Sequence, residues 1–376
     1  MGGFKLILGT PINAVPHPWL TLPVSGIMVN AYDILKIGLN RVRGRGLRKL
    51  LGIDNDDVEL WIDSGGYQFL RRGIDPGTYK IAKVYREVDA DYYISLDYPP
   101  GPLDDNETRA RKIARTISSY MSLKNTLRGL VEEGRLIPVF HMAVGESLRL
   151  QLRSYEPHSC IAAVGGLIPH FMQRSGKGSR LKTVLFLTLL RKLWRGKLHA
   201  LGLASAAVIP LLKIIGIDSG DTQTWRHKAA FGKIIVPGLG ERHISGQKVR
   251  FGPATLRENE VDIYLEFVEK ASGLFNVTHE SLVNSFEARA LFNAWILLEV
   301  ASNGATYRGT SKPFAKLYEA ARALKKLPPD ELEAKLAGLL GVAKPPSAES
   351  SSYVEVKTVE RVPSYTVLNY TTVEEA

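Results

Sequence analysis

Short apolar runs recur along residues 5–218 of this chain, and segments of helical periodicity separate them. Each run ends at a glycine, a proline or a polar residue, as buried strands of α/β proteins commonly do. The eight predicted strands are Lys5 to Gly9, Gly26 to Tyr32, Leu60 to Ser64, Tyr92 to Leu96, Ile137 to His141, Ile161 to Gly165, Leu198 to Gly202 and Ile214 to Asp218. Eight strands alternating with helices predict a (β/α)8 TIM barrel. A doubly wound open sheet is the alternative, and it would not need eight comparable repeats.

The predicted barrel takes up residues 1–230, after which the pattern changes. Residues 231–343 are expected to form a glycine-rich hairpin, from Lys233 to Val236 and from His243 to Phe251, and then long helices that wrap the barrel. Residues 344–376 form a tail rich in proline, serine, threonine and valine, which is expected to be mobile or an edge strand.

Composition limits which binding partners and which cellular compartment are expected. Lysine and arginine total 49 against 38 acidic residues, a net charge of +11 that favours an anionic partner such as nucleic acid without establishing one. The only cysteine, Cys160, excludes an intrachain disulfide and any zinc site with two thiolates, and it suggests a reducing compartment. We therefore expect a cytoplasmic protein. No apolar run approaches the roughly 20 residues that span a bilayer, so no membrane partner is expected.

Carboxylates, a histidine and glycines mark the ends of the predicted strands. A barrel brings the carboxyl ends of its strands together at one rim. That rim would carry Asp63, Asp97, His141, Gly165, Gly166, Gly202 and either Asp218 or Asp221. Paired carboxylates there suit chemistry at an anomeric carbon, where one captures or stabilises an oxocarbenium-like centre and another handles the proton. Glycines beside them let a flat ligand lie against backbone amides.

Each of these residues also has a structural interpretation. Asp63 before two glycines and Asp97 before Tyr-Pro-Pro could only shape turns, and Asp218 could only accept backbone hydrogen bonds. His141 could be a satisfied rim histidine. A barrel glycoside hydrolase would use rim carboxylates as well, but it needs an acid–base pair that activates water and an open sugar groove.

Five segments carry a family resemblance in their order along the chain. They are Asp63–Gln68, Ser95–Asp97 followed by two prolines, Val164–Leu167, His199–Leu203 and Gly216–Asp221. Together they resemble the signature motifs of the tRNA-guanine transglycosylases. The resemblance extends over residues 27–226, more than half of the chain.

The resemblance implies a base exchange. In that family an aspartate attacks C1′ of a guanosine nucleotide, guanine leaves, and a 7-deazaguanine attacks the covalent glycosyl-enzyme from the same face. Asp221 is the implied nucleophile, with Asp218 the less favoured choice, and Asp63 is the implied proton-handling group. The implied base-binding residues are Tyr67, Asp97, His141, Gly165, Gly166, Leu167, Leu201 and Gly202. Among these, Asp97 would accept from the base, and Tyr67 and Leu201 would sandwich it.

Departures from the family pattern bear on which polymer, DNA or tRNA, is expected to be the acceptor. The tRNA enzymes have a three-cysteine and histidine zinc site that this chain cannot build, so no metal or other cofactor is expected. His141 stands where they usually have glutamine. The run from Asp221 to Trp225 resembles the DNA-acting, DpdA-like branch instead. DNA is therefore favoured over tRNA, helper proteins are possible partners, and a non-catalytic nucleic-acid-binding paralogue is a further alternative.

Two basic loops could follow a phosphate backbone. One covers residues 41–49, for which phosphate contact and a solvated surface are both open. The other covers residues 174–180, and with Arg226 it is expected to contact phosphates through Arg174, Lys177, Arg180 and Arg226. The target guanine must leave the base stack to reach the rim, so a flipped nucleotide or a single strand is expected.

Overall fold

The computed structural model describes residues 3–53, 57–172, 179–245, 255–303 and 312–342. Eight parallel strands form a barrel: Lys5–Gly9, Gly26–Asn30, Glu59–Asp63, Tyr92–Ile94, Leu136–Ile137 continued by Val139–Phe140, Ile161–Val164, Lys197–Ala200 and Ser219–Thr222. The first strand pairs in parallel with both the second and the eighth. The (β/α)8 prediction is confirmed.

Pro138 divides the fifth strand into two pieces. Leu136–Ile137 pairs with the fourth strand, and Val139–Phe140 pairs with the sixth. Proline has no N–H to give to a ladder, but the Pro138 carbonyl accepts from the backbone N–H of Ala163 at 2.8 Å. The barrel therefore closes through this strand, because its two halves pair with different neighbouring strands.

The predicted eighth strand is wrong in its position. Ile209–Ile215 is a helix that buries Ile209, Leu211, Leu212 and Ile215, and the strand follows it at Ser219–Thr222. A short apolar run cannot by itself distinguish a buried helix from a buried strand. Gly216, at φ +98°, ends the helix in a conformation that favours glycine. Asp218 therefore precedes the strand, and Asp221 lies within it.

The barrel interior is apolar along most of its circumference. Each of the first six strands contributes inward side chains to one cluster: Ile7, Met28, Trp61, Ile94, Ile137, Val139 and Ala163. The seventh strand instead turns His199 inward, where its ring stacks on Trp61 with 4.8 Å between ring centroids. Polar groups thus enter the interior from the side of the seventh and eighth strands.

Helices connect the strands and cover their outer faces. They are Ala31–Ile37, Leu39–Arg45, Leu47–Leu50, Gly66–Leu70, Gly77–Glu87, Asn106–Thr126, Arg128–Glu132, Gly145–Tyr155, Leu167–Met172, Ser179–Leu193, Ile209–Ile215 and Thr224–Ala230. Asp105 caps the longest of them by accepting from Thr108 N at 2.7 Å. Within the described ranges, no helix combines the length and apolar character that crossing a bilayer requires.

The part that follows the barrel is mainly helical. A hairpin of Lys233–Val236 and Gly240–His243 comes first, so its second strand begins earlier than predicted. A short 3-10 turn at Glu258–Glu260 and the helices Val261–Phe275, His279–Asn284, Phe286–Asn303, Lys312–Leu324 and Pro329–Leu340 follow, and another 3-10 turn, Pro18–Leu20, lies between the first and second strands. Phe286–Asn303 packs on Thr224–Ala230, and Pro329–Leu340 packs on Ser179–Leu193. The predicted tail, residues 344–376, lies outside the described residues.

Asn293 joins the C-terminal helices to the barrel. Its fully buried side chain accepts from Ile235 N at 2.7 Å and donates to the carbonyls of Trp225 and Lys233 at 3.2 and 3.1 Å. One amide therefore satisfies three backbone groups on the hairpin and on the helix after the eighth strand.

Asn293→Ala is expected to lower the free energy of unfolding by about 3 kcal/mol, because it leaves buried backbone groups without partners. Urea denaturation followed by circular dichroism measures the change. Glu287→Gln, at an exposed position of the same helix, is the control and should stay within about 0.5 kcal/mol. An unchanged midpoint for Asn293→Ala would contradict this role of the amide.

Candidate active site

Asp63 ends the third strand, where it is partly buried and close to the negative charge of Asp221. Burial raises the pKa of its carboxyl to about 6, and the charge of Asp221 adds to the rise. The backbone N–H of Gly65, 3.1 Å from Oδ2, opposes the rise without cancelling it. Near neutral pH Asp63 therefore populates both its protonated and its ionised form. A side chain that acts as a general acid and a general base needs both forms.

Asp221 lies inside the eighth strand and is 8% exposed. Its Oδ1 accepts from the backbone N–H of Gly202 at 2.6 Å and lies 3.2 Å from Nε2 of His199. In the described part of the chain, no ion pair joins Asp221 to a lysine or an arginine. The carboxylate is thus oriented by a fixed N–H and an imidazole, and its charge is not taken up by a side chain that is always cationic.

His199 is a site residue that sequence reasoning missed. Its ring is fully buried, and its Nδ1 lies 2.9 Å from Oγ of Ser219, which faces it across the two paired strands. The imidazole therefore links Ser219 to Asp221. A signal was present in the sequence, because a histidine interrupts an otherwise apolar strand, but the residue was treated only as part of a motif.

Asp218 is held at the opposite end of the barrel. Its Oδ2 accepts from Leu198 N at 2.8 Å and from Arg191 Nη1 at 3.1 Å, and its carbonyl accepts from Lys5 N at 3.0 Å. Lys5 and Leu198 lie where the first and seventh strands begin, and Arg191 lies near the end of the helix Ser179–Leu193. The geometry separates Asp218 from the rim and gives it a structural task.

Asp97 and His141 meet at the carboxyl ends of the fourth and fifth strands. Oδ2 of Asp97 lies 3.4 Å from Nε2 of His141, whose other ring nitrogen is 3.2 Å from the carbonyl of Gly165. Burial, with the nearby charge of Asp63, raises the pKa of Asp97 to about 8. Burial also lowers the pKa of His141 to about 4, so its neutral form is favoured.

Three glycines lie so close to this pair that a side chain at any of them would collide with it. A Cβ on Gly66 would lie 2.8 Å from Oδ1 of Asp97, and a Cβ on Gly165 would lie 3.0 Å from its Oδ2. Gly166 has φ +72°, and a Cβ there would lie 3.3 Å from His141 Nδ1. Any larger residue would displace the Asp97 carboxylate or the His141 ring, so the predicted base pocket depends on these glycines.

Gly66→Ala is expected to weaken base binding roughly tenfold or more, because overpacking against Asp97 costs about 1–3 kcal/mol. Isothermal titration with 7-deazaguanine measures the loss. Gly338→Ala, in a helix where a new Cβ meets nothing within 4 Å, is the matched control and should bind as the wild type does. Equal affinity for the two variants would contradict the pocket assigned here.

The other predicted base-binding residues differ in exposure and contacts. Tyr67 is 54% exposed on the helix after the third strand, and the Arg71 guanidinium lies 5.9 Å from the centre of its ring. Leu201 packs partly against the barrel interior, and Gly202 at φ +66° turns its N–H to Asp221. The Leu167 side chain is buried, which leaves its backbone as the part able to contact a base.

The predicted phosphate-binding residues are only partly placed. Arg174 and Lys177 lie outside the described residues. Arg180 donates to the carbonyl of Phe171 at 3.2 Å, and Arg226 donates to the carbonyl of Val15 at 2.7 Å with its guanidinium over the Trp225 ring. Both arginines are therefore braced against the protein.

The basic segment 41–49 is not a loop. It forms the helices Leu39–Arg45 and Leu47–Leu50, which meet at Gly46. Two of its arginines are engaged within the protein, because Arg43 pairs with Glu87 and Arg48 pairs with Asp91. The segment is thus a helical surface with part of its charge neutralised.

Comparisons with known proteins give two distant similarities. The chain is 24% identical over 217 residues to the tRNA-guanine(15) transglycosylase of Nanoarchaeum equitans, a match that covers 57% of this chain and 50% of that enzyme. This distant similarity supports the tRNA-guanine transglycosylase superfamily. The chain is also 25% identical over 245 residues to "Uncharacterized protein 306" of Sulfolobus islandicus rod-shaped virus 1, covering 64% of this chain and 70% of that protein. No protein-family model matches the chain.

Proposed function

We propose that this protein is a guanine transglycosylase that replaces a guanine of a polynucleotide with a 7-deazaguanine through a covalent bond to Asp221. One observation carries the proposal. The Asp221 carboxylate is held by Gly202 N and His199 without a lysine or arginine partner in the described chain, and its charge raises the pKa of Asp63. A nucleophile and a proton-transfer group are thereby paired at one rim.

In the first step, an oxygen of Asp221 attacks C1′ of the target nucleotide. The bond between C1′ and N9 of guanine breaks, and its electron pair leaves with the base. Asp63 in its protonated form neutralises the departing guanine by giving it a proton. The product is a glycosyl ester on Asp221 and an ionised Asp63.

In the second step, the incoming 7-deazaguanine occupies the place of guanine. Asp63 takes the N9 proton, N9 attacks C1′, and the ester bond to Asp221 breaks, so two inversions give net retention. Carbon replaces nitrogen at position 7 of this base, which removes a basic atom that can be protonated. The new base is therefore the poorer leaving group, and the exchange runs in one direction.

The base would lie in the space bounded by Asp97, His141 and the three glycines, with Tyr67 covering it and Leu201 beneath. Its donor groups would face Asp97, because a carboxylate is an acceptor. The steps written above use only carboxylates and the base itself, so the proposal requires no metal ion.

DNA is the favoured acceptor, and tRNA is the second candidate. The run from Asp221 to Trp225 supports DNA through its likeness to DNA-acting relatives. Trp225 is fully buried, however, and its Nε1 donates to the Gly9 carbonyl at 3.0 Å, so it serves packing. The printed name of the Nanoarchaeum enzyme favours tRNA. Helper proteins may be supplied from a cell extract in either case.

The test is an incorporation assay. Purified protein is incubated with isotope-labelled 7-deazaguanine or 7-cyano-7-deazaguanine and either DNA or tRNA, and the digested nucleosides are analysed by mass spectrometry. Label in deoxynucleosides supports the DNA acceptor, and label in ribonucleosides moves the protein to tRNA. Binding of polymer without label, even with extract added, favours a non-catalytic paralogue. Release of guanine without exchange favours a glycoside hydrolase.

A further inference from the structure

His141 has one ring nitrogen without a hydrogen-bond partner among the described residues. This atom is Nε2, in a side chain with no solvent exposure, and it points to the Asp97 carboxylate at 3.4 Å. The backbone N–H of His141 is already fixed by Gln151 Oε1 at 2.8 Å. A buried imidazole nitrogen that lies beside a carboxyl oxygen and lacks a hydrogen-bond partner points to a ligand contact or a mobile proton.

The tautomer of His141 follows from its other nitrogen. Nδ1 lies 3.2 Å from the Gly165 carbonyl, which can only accept, so Nδ1 carries the proton in the neutral ring. Nε2 then holds a lone pair, and it faces a carboxyl oxygen. Two lone pairs repel each other at this distance, so in the empty site the pair is stable with a proton on the Asp97 oxygen, facing the Nε2 lone pair.

The hydrogen-bonding edge of a guanine-type base requires that proton to be on Nε2 of His141 and not on Asp97. The N1–H and the exocyclic amine are donors and call for an ionised carboxylate, whereas the neighbouring O6 is an acceptor and calls for an N–H. An empty pocket with a protonated Asp97 and an unprotonated Nε2 presents the opposite pattern on both residues.

Resting on the proposed function, we infer that base binding moves one proton from Asp97 to Nε2 of His141. The bond between the Asp97 oxygen and its proton breaks, and the Nε2 lone pair takes the proton, so no proton is exchanged with solvent. The pair then presents a carboxylate for the donors at N1 and the amine, and an N–H for O6. Adenine-type bases, with an acceptor at N1 and an amine at C6, would not support the transfer.

The surroundings of the pair are compatible with an internal transfer. Asp63, on the third strand, favours keeping a proton in the pocket, and Lys112, on the helix Asn106–Thr126, disfavours a charged His141. The phenols of Tyr85 and Tyr155 also sense the charge of Asp97, and burial raises the pKa of both so that they stay neutral. The proton therefore rests on Asp97 until a base supplies hydrogen bonds that favour the ion pair.

The test counts protons during binding. 7-Deazaguanine is titrated calorimetrically into the protein at pH 6.5 in two buffers of different ionisation enthalpy, for wild type, His141→Gln and His158→Gln. Glutamine keeps a donor for O6 but cannot take the proton, so Asp97 must release it to solvent. The histidine in the control, His158, precedes the sixth strand at the other end of the barrel.

We expect His141→Gln to release about one proton per base more than wild type and His158→Gln, with an affinity that rises about tenfold per pH unit between pH 6 and 7.5. Protons exchanged by Asp63 are common to all three proteins and cancel in the difference. Equal release by wild type and His141→Gln would overturn the inference and leave the proposed function intact. Absence of binding to wild type would overturn both.

Nitrogen-15 NMR of labelled histidine provides a second measurement on the wild-type protein. Nε2 of His141 should be unprotonated in the free protein and protonated after 7-deazaguanine is added. A free protein with Nε2 already protonated, or a bound protein in which it stays unprotonated, would contradict the transfer even if the glutamine variant failed to fold.

Discussion

Asp221→Asn is expected to lower the rate of base exchange roughly 10³-fold or more, because a neutral amide cannot form the glycosyl ester. The amide oxygen can still accept from Gly202 N, so the fold should be retained. Single-turnover release of guanine from a polynucleotide in the presence of excess protein measures the effect on the first step. Binding of the free base should remain, because the proposed base contacts lie on other strands.

Asp218→Asn is the matched control for this substitution. It changes the same chemical group three residues away, at the opposite end of the barrel, where the carboxylate binds Leu198 N and Arg191. We expect a loss of stability with exchange kept within a few-fold. A large loss of exchange in Asp218→Asn, with activity surviving in Asp221→Asn, would reverse the assignment of the nucleophile.

Asp63→Asn is expected to slow guanine release by roughly 10²–10⁴-fold and to change its pH dependence. In the proposed mechanism release requires the protonated carboxyl, whose pKa is raised to about 6, so the single-turnover rate of wild type should fall as pH rises through about 6. Asparagine has no proton to lose, and the variant should show no such fall. Stopped reactions between pH 5 and 8 at saturating polynucleotide give both quantities.

Glu59→Gln is the control that tests whether the fall in the rate of guanine release near pH 6 comes from the carboxyl at the end of the third strand. Glu59 begins the same strand that Asp63 ends, and it pairs with Lys5. The fall in rate near pH 6 should persist in this variant. Persistence of the same fall in Asp63→Asn would instead assign it to another group.

The barrel was predictable because its apolar runs are short, regularly spaced and ended by glycine or polar residues. The eighth strand was misplaced because the apolar residues Ile214 and Ile215, which end the helix Ile209–Ile215, are equally compatible with the start of a strand, and only the packing of neighbouring strands decides. Pro138 posed a similar difficulty, since its effect depends on the different partners of the two half-strands.

Within the site, strand-end position sufficed to bring Asp63, Asp97 and His141 to one rim. It did not reveal His199, which acts from inside the barrel through its contact with Asp221. Strand-end position also could not separate Asp218 from Asp221, which are only three residues apart. The pairing with the first strand, which begins at Lys5, shows that they lie at opposite ends of the eighth strand. The state of the Asp97–His141 pair depends on burial and on the Gly165 carbonyl, which no local pattern records.

The covalent intermediate is the most direct test of the account. A guanine-containing oligonucleotide is incubated with the protein without an incoming base, the mixture is denatured, and the protein is weighed and digested for peptide mass spectrometry. We predict an adduct equal in mass to the oligonucleotide without its guanine, attached to the peptide that carries Asp221. An adduct on another residue, or free guanine with an abasic polymer and no adduct, would contradict it.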